Sequence, residues 1–179
     1  MRAMVVAAAV VAVIVGGDVN VAQGRPVTAP GCTQLSHLEN VFPTAKAAGF
    51  SEHLRIQVAP PRQPVFPGRC GAFWTTYEIN GRSMDIAVTL YRNSSDVAPA
   101  LAEPLYGPVH VFANGARIRT SGPSAGSVGG TPSSSYGAVS AFRNLFISST
   151  SISTRMTPLP ASAQLRIHRL VENGFARLH

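Results

Sequence analysis

Residues 73–90 have the sequence FWTTYEI-NG-RSMDIAVTL. The pair Asn80-Gly81 is the preferred centre of a two-residue type I′ turn, and apolar residues alternate with polar ones on both sides of it. This turn sets three cross-strand pairs on one face: Tyr77–Met84, Thr75–Ile86 and Phe73–Val88. Because the turn chemistry and the alternation agree, the sequence predicts a β-hairpin with that face in the core.

A second pair, Asn114-Gly115, predicts another two-residue hairpin between Val109 and Thr120. Its core face would hold Val109, Val111, Ala113, Ala116 and Ile118. Its outer face would hold His110, Phe112, Arg117 and Arg119. A phenyl ring beside two guanidinium groups offers apolar area and planar donors for carboxylate or phosphate, so the outer face is the predicted partner-binding surface. In the alternative, a helix covers Phe112 and the arginines only solvate an edge hairpin.

The rest of the chain alternates between strand and helix patterns. Alternating apolar residues predict strands at 54–58 and 138–152, while the Ser- and Gly-rich segment 121–137 is expected to be a flexible loop. Helices are predicted at 33–50 with a break at Pro43, at 94–103, and over 159–178, where apolar residues recur at helical spacing. The predicted fold class is α+β, an antiparallel sheet with helices packed on one face.

The N-terminus has the pattern of a secretory signal peptide. Arg2 precedes the unbroken apolar stretch 3–15, and Ala22-Gln23-Gly24 has small residues at the positions that cleavage requires. We therefore expect a signal peptide at 1–24, an extended leader at 25–31 and a single domain at 32–179. The apolar stretch is shorter than the roughly 20 residues of a membrane-spanning helix, so no transmembrane segment is expected in the mature chain.

Export changes the expected state of the two cysteines. Outside the cytoplasm, two cysteines most simply form one disulfide, here between Cys32 and Cys70. A catalytic thiol is the alternative, but neither residue has the sequence context of a cysteine protease nucleophile. The protein is thus predicted to be secreted or extracytoplasmic, within the cell envelope or the extracellular space.

Composition limits the partners and the chemistry. The chain has 179 residues, 45% of them hydrophobic and 13% charged, and this excludes overall disorder. Its net charge of +7 favours an anionic partner such as an envelope polymer, a lipid headgroup or a protein. Nucleic acid is not expected, because the arginines are dispersed and the protein is exported.

Catalytic, metal and cofactor motifs are weak. The segment Gly122-Pro123-Ser124-Ala125-Gly126 matches the nucleophile-elbow pattern of hydrolases, but Pro123 and the absence of a following helix oppose that function. A hydrolase would need Glu172 with His168 or His179 as partners. No cofactor is expected, since Lys46 has no glycine-rich neighbour. No metal is expected either, because metal-ligand spacing is missing among the five histidines, His37, His53, His110, His168 and His179.

The order of elements, with Phe-Arg-Asn-Leu-Phe-Ile at 142–147 in the penultimate strand and one disulfide, resembles a known class of domain. This class is the small secreted or lipid-anchored bacterial envelope domain of the serine/threonine-kinase sensor type. The resemblance covers roughly residues 32–178, and the chain departs from the class in having two cysteines rather than more. It implies binding rather than catalysis. Two hypotheses follow: an exported non-catalytic binding domain, or a small secreted hydrolase whose site is assembled from dispersed Ser, His and acidic residues.

Overall fold

The structure is a computed structural model that describes residues 32–50, 52–53, 57–59, 68–79, 82–102, 106–154 and 157–178. The predicted signal peptide, the extended leader and the Asn80-Gly81 turn lie outside these residues. So do Leu54 and Ile56 of the first predicted strand. Among the described residues, no helix is both long enough and apolar enough to cross a membrane.

Eight antiparallel strands form one sheet. In chain order they are β1 Glu52–His53, β2 Gln57–Ala59, β3 Arg69–Ile79, β4 Arg82–Tyr91, β5 His110–Val111, β6 Arg117–Val128, β7 Thr131–Phe142 and β8 Leu145–Ser153. Their order across the sheet is β1-β3-β4-β8-β7-β6-β5, and β2 also pairs with β3. The predicted register of the β3–β4 hairpin is confirmed at all three pairs, Tyr77–Met84, Thr75–Ile86 and Phe73–Val88.

The helices are short except for the last. A 3₁₀ helix at Thr33–Val41 is followed by α1 at Ala45–Ala48, a second 3₁₀ helix at Ser94–Val97 continues into α2 at Ala98–Leu101, and α3 spans Ala161–Ala176. Pro43 separates the first two helices as expected. Gly49 ends α1 with φ +80, a left-handed conformation that glycine adopts without strain. Pro160 occupies the N-cap position of α3.

Helix α3 and the first 3₁₀ helix cover one face of the sheet, and the α+β fold class is confirmed. We call this the helix face. Its core contains the inward residues of β3, β4 and β8 together with the apolar side of α3, including Tyr77, Ile86, Val88, Leu145, Ile147, Ile167, Val171 and Phe175. Alternation along the strands placed the strand residues of this core, since every second side chain of a strand points to the same face, and helical spacing placed those of α3.

The opposite face of the sheet carries α2 and a smaller core, whereas the sequence predicted helices on one face only. The segment 94–101 packs over residues of β7 that point away from α3. The cluster consists of Tyr91, Val97, Ala100, Leu101, Val139 and Ala141. Val139 and Ala141 flank Ser140 in the sequence and therefore point away from α3. We call this second face the outer face of the sheet.

The two cysteines are joined as predicted. A disulfide links Cys32, which precedes the first 3₁₀ helix, to Cys70 in β3, with their Cα atoms 5.6 Å apart. The helix lies close to the strand at this point, because a Cβ added to Gly71 would lie 2.7 Å from Leu35 Cδ1. The disulfide therefore ties the helix layer to the sheet.

The prediction of a flexible loop at 121–137 is wrong. Strands β6 and β7 pair through most of this range, with a register shift between Ser121 and Ser124. Gly129 and Gly130 form the connecting turn with φ of +55 and +79, the positive values that a type I′ turn requires. Most side chains near the turn are exposed on both faces. No hydrophobic alternation therefore marks these residues as strands.

The second hairpin forms, but its predicted register is wrong by one residue. Gly115 N–H donates to Phe112 O, and Phe112 N–H donates to Ala116 O, so three residues rather than two lie in the loop. Gly115 takes the positive φ of a three-residue loop with a bulge. Val111 consequently pairs with Arg117, and His110 pairs with Ile118. A one-residue slip exchanges the two faces of a strand, which leaves Val111 71% exposed.

This register predicts a large loss of stability for one substitution in the hairpin and almost none for another. Ile118→Ala should lower the free energy of unfolding by about 2–5 kcal/mol, because Ile118 is fully buried. Val111→Ser should change it by less than about 0.5 kcal/mol, because an exposed side chain loses little burial. Urea unfolding of both variants distinguishes the registers. A large loss for Val111→Ser would support the two-residue turn instead.

Candidate functional site

The predicted partner-binding residues do not share one face. The register places Arg117 and Arg119 on the outer face of the sheet, opposite Ala141 and Val139 of β7. His110 lies opposite Ile118, on the helix face. The side chains of His110 and Arg117 are exposed, whereas Phe112 is half-buried with the Arg169 guanidinium 4.3 Å above its ring.

Arg119 is engaged by the protein itself. Its guanidinium donates hydrogen bonds to three main-chain carbonyls, those of Leu101, Tyr106 and Gly107. Five N–H donors in a fixed plane suit this task, because they can satisfy several carbonyls of an irregular segment at once. Arg119 therefore links Leu101 at the end of α2, and Tyr106 and Gly107, to β6.

A buried polar cluster lies where α3 crosses the sheet. Gln164, His168 and Glu172 are four residues apart along α3 and thus lie on one side of the helix. They face Ser140 of β7 and Ser149 of β8, two neighbouring strands. Ser140 and His168 are 0% exposed and Glu172 is 1% exposed. Buried polar groups require partners, and most of these atoms have them.

The hydrogen bonds define which nitrogen of His168 carries the proton. Gln164 Nε2 donates to the carbonyls of Tyr136 and Leu159, so its Oε1 is the acceptor of the Ser149 hydroxyl at 2.7 Å. The single hydroxyl hydrogen of Ser149 is then used. His168 Nε2, 2.8 Å from Ser149 Oγ, must therefore be the donor in that contact.

The second ring nitrogen of His168 is an acceptor in the neutral ring. Its Nδ1 lies 2.9 Å from Ser140 Oγ, which donates to it. Burial lowers the pKa of His168 from 6.5 to about 3, so the ring is neutral at physiological pH. A neutral imidazole with one donor and one acceptor satisfies both serines.

Glu172 lies at the other end of the cluster. Its Oε2 accepts a hydrogen bond from Asn114 Nδ2 at 2.9 Å, while Oε1 is buried without a partner. Burial raises the pKa of Glu172, and the hydrogen bond from Asn114 and the charge of Arg169 partly oppose this rise. The Ser140 hydroxyl also lies close to Glu172, but its single hydrogen is donated to His168 Nδ1.

This Ser–His–acid group lacks the geometry of a hydrolytic triad. In a triad the acid orients the histidine through the ring nitrogen that does not face the nucleophile. Here that nitrogen, Nε2, is bonded to Ser149, and Glu172 lies on the side of Ser140 instead. Burial of Ser140 and His168 also closes the group to a substrate.

Ser124, the serine of the elbow-like motif, is separate from this cluster. It is exposed on β6 and pairs with Ser135 of β7, five residues before Ser140. At the rise of an extended strand, this places it roughly 16 Å along β7 from Ser140. The described residues contain no group of three or more His, Cys, Asp or Glu that could hold a metal ion.

Sequence reasoning considered His168 and Glu172 but missed Ser140, Ser149, Gln164 and Asn114. A signal for two of these, Gln164 and Ser149, was present. Gln164 has the same helical spacing as His168 and Glu172, next to the apolar stripe of α3. Ser149 continues the alternation of Leu145 and Ile147 and is therefore an inward position. Asn114 carried only a turn signal, which gives no information on its contact with α3.

The chain has a structural neighbour among known proteins but no match to a sequence family. No protein-family model matches the chain, and no curated protein matches it significantly. Among solved structures, the chain is similar to the extracellular domain of PknH from Mycobacterium tuberculosis, with 11% sequence identity and a TM-score of 0.44. The match covers 85% of this chain and 98% of that domain. That domain is of the kinase-sensor class that the order of elements resembles.

The buried histidine predicts a loss of stability in acid. Its pKa is lowered on folding, so its contribution is fully present above pH 6.5 and is lost as the pH falls from about 6.5 towards 3. Urea unfolding between pH 8 and pH 4 should show this fall. His168→Asn should be less stable at pH 8 and show a shallower fall, whereas the exposed control His37→Gln should keep the full fall.

Glu172 acts in the opposite direction, because its pKa is raised on folding and its burial is less costly at low pH. Glu172→Gln should therefore steepen the fall in stability with acid. The same fall in stability for Glu172→Gln and for the unmodified protein would contradict this account of the cluster.

Proposed function

We propose that the protein is an exported, non-catalytic binding domain with an anionic partner. The observation that carries this proposal is the closure of the Ser140–His168–Glu172 group, which is 0–1% exposed and bonded within the core. This group, which combines a hydroxyl, a base and an acid, thus serves the packing of α3. A hydrolase would need at least one of these groups in reach of a substrate.

The disulfide supports export. Cysteine pairs persist mainly in oxidising compartments outside the cytoplasm, and Cys32–Cys70 joins two structural layers. The predicted signal peptide is consistent with the same route. An extracytoplasmic location therefore forms part of the proposal.

An anionic partner is supported by charge and by one exposed edge of the sheet. We define the β5 edge patch as Val109, His110, Val111 and Arg117, all exposed at the end of the sheet. Two exposed valines beside a guanidinium offer apolar contact and a planar donor for carboxylate, sulfate or phosphate. The net charge of +7 adds a long-range attraction for polyanions.

The other two predicted binding residues, Phe112 and Arg119, lie next to the β5 edge patch and contact other parts of the protein. Phe112 follows β5 and packs under Arg169. The Arg119 guanidinium donates hydrogen bonds to main-chain carbonyls, including that of Leu101. We propose that His110 and Arg117 contact the partner and that Phe112 and Arg119 position the strands that carry them.

The test compares two single substitutions that remove the same charge. Arg117→Ala should elute from a heparin column, used as a model polyanion, at clearly lower salt than the unmodified protein. The matched control Arg92→Ala removes an exposed arginine elsewhere and should cause a smaller shift. Both variants should keep their melting temperature, since exposed substitutions cost little. Equal shifts for the two variants would leave only unspecific charge attraction and contradict the patch.

The hydrolase alternative makes a different prediction. A serine-directed fluorophosphonate should not label the folded protein if Ser140 is closed to solvent, and a trypsin control should be labelled under the same conditions. Labelling that disappears in Ser140→Ala or in Ser124→Ala would overturn the non-catalytic assignment and identify the nucleophile.

A further inference from the structure

The outer face of the sheet is open beyond the cluster formed by segment 94–101. Trp74 of β3 lies there with 37% of its surface exposed, and Asp85 of β4 is exposed beside it. Trp74 is the only tryptophan of the chain. A large aromatic side chain that is exposed on a sheet face and surrounded by polar groups is typical of a recognition surface.

The strand register creates a groove next to the indole. Trp74 pairs with Ala87, and Ala87 pairs with Ser148 of β8, so two small side chains follow the large one across the sheet. The adjacent row is polar, with Thr76 opposite Asp85 and Asp85 opposite Thr150. The result is an open groove of about 220 Å³, with Trp74 as its one large apolar wall.

The hydrogen-bonding side chains of the groove are hydroxyls and one carboxyl group. Thr76 Oγ1 donates to Asp85 Oδ1 at 2.6 Å, which orients the exposed carboxyl group. Ser148 and Thr150 add hydroxyls, each able to donate and to accept. Among the residues that the structure describes, no basic residue lines the groove, although the protein as a whole carries a net charge of +7. The groove therefore disfavours the anions that the β5 edge patch is proposed to attract.

We infer that this groove binds a neutral sugar ring. One face of a pyranose presents C–H groups that can lie on the indole, whose face is electron-rich, while the ring hydroxyls donate to a carboxylate and exchange hydrogen bonds with Ser148 and Thr150. The volume is below the roughly 300–1,000 Å³ of sites for larger ligands, which matches a single ring.

A quaternary ammonium group is the competing ligand for an aromatic ring beside a carboxylate. Cation recognition generally relies on several aromatic rings around the charge. The groove has one aromatic ring and several hydroxyls, so its chemistry favours the sugar. This inference concerns a site other than the β5 edge patch and does not rest on it.

The single tryptophan provides the measurement. Tryptophan fluorescence is recorded while the protein is titrated with each of four sugars: methyl glucoside, methyl galactoside, methyl mannoside and N-acetylglucosamine. Each sugar is added to about 100 mM to allow for weak binding. At least one of these sugars should give a saturable change in emission. Mannitol has hydroxyls but no ring and should give none. Glucuronate should bind more weakly than the glucoside because its carboxylate faces Asp85.

Two variants assign the response to the groove. Asp85→Asn should weaken sugar binding about tenfold, while the charge-matched control Glu39→Gln, on an exposed position of the first 3₁₀ helix, should bind as the unmodified protein does. Trp74→Ala should abolish binding, measured by calorimetry because it lacks the reporter. Arg117→Ala should leave sugar affinity unchanged. Melting curves verify that each variant is folded, and Trp74→Phe, with weakened binding, replaces Trp74→Ala if that variant does not fold.

Each contrary result overturns the inference. Absence of a saturable response to all four sugars would do so. Equal affinity of Asp85→Asn and Glu39→Gln would show that the sugar does not bind in this groove. Saturation by tetramethylammonium without any response to the sugars would identify a cation site instead.

Discussion

The imidazole of His168 joins α3 to two neighbouring strands, through Ser140 of β7 and Ser149 of β8. A helix that packs on a sheet by apolar contact alone can slide along it, whereas two directional hydrogen bonds fix one position. Burial keeps the ring neutral, and the neutral ring makes both bonds with its proton on Nε2, because Ser149 gives its own hydrogen to Gln164. The position of α3 on the sheet thus depends on one protonation state of His168.

The Ser–His–acid group is separate from the exposed features of the molecule. The groups that could perform acid–base work are enclosed between α3 and the sheet, so they serve the fold. Exposed features lie elsewhere: a basic, partly apolar edge at β5 and an acidic, aromatic groove beside Trp74. We propose different ligands for the two surfaces because their charges are opposite, and strand register positions both surfaces.

The sequence predicted the parts of the fold in which two independent signals agree. For the β3–β4 hairpin, the Asn80-Gly81 turn and the alternation point to the same register, and Cys32 and Cys70 had only each other as partners. It failed where one signal stood alone. Asn114-Gly115 is compatible with a two-residue and a three-residue loop, and the choice between them exchanges the faces of β5. The Ser- and Gly-rich hairpin tip has no buried face, so no hydrophobic pattern reveals its strands. The polar cluster was visible only as a helical spacing of Gln164, His168 and Glu172, and its strand partners depend on how α3 crosses the sheet.

The central claim is that His168 is neutral, protonated at Nε2 and enclosed in the folded protein. Long-range ¹H–¹⁵N correlation spectra of the histidine rings, recorded on the folded protein between pH 8 and pH 5, measure this directly. The account predicts that the His168 nitrogens keep the shifts of the Nε2–H form throughout, while the exposed ring of His37 serves as the internal comparison. Titration of the His168 nitrogens in this range, or a proton on Nδ1, would contradict the account.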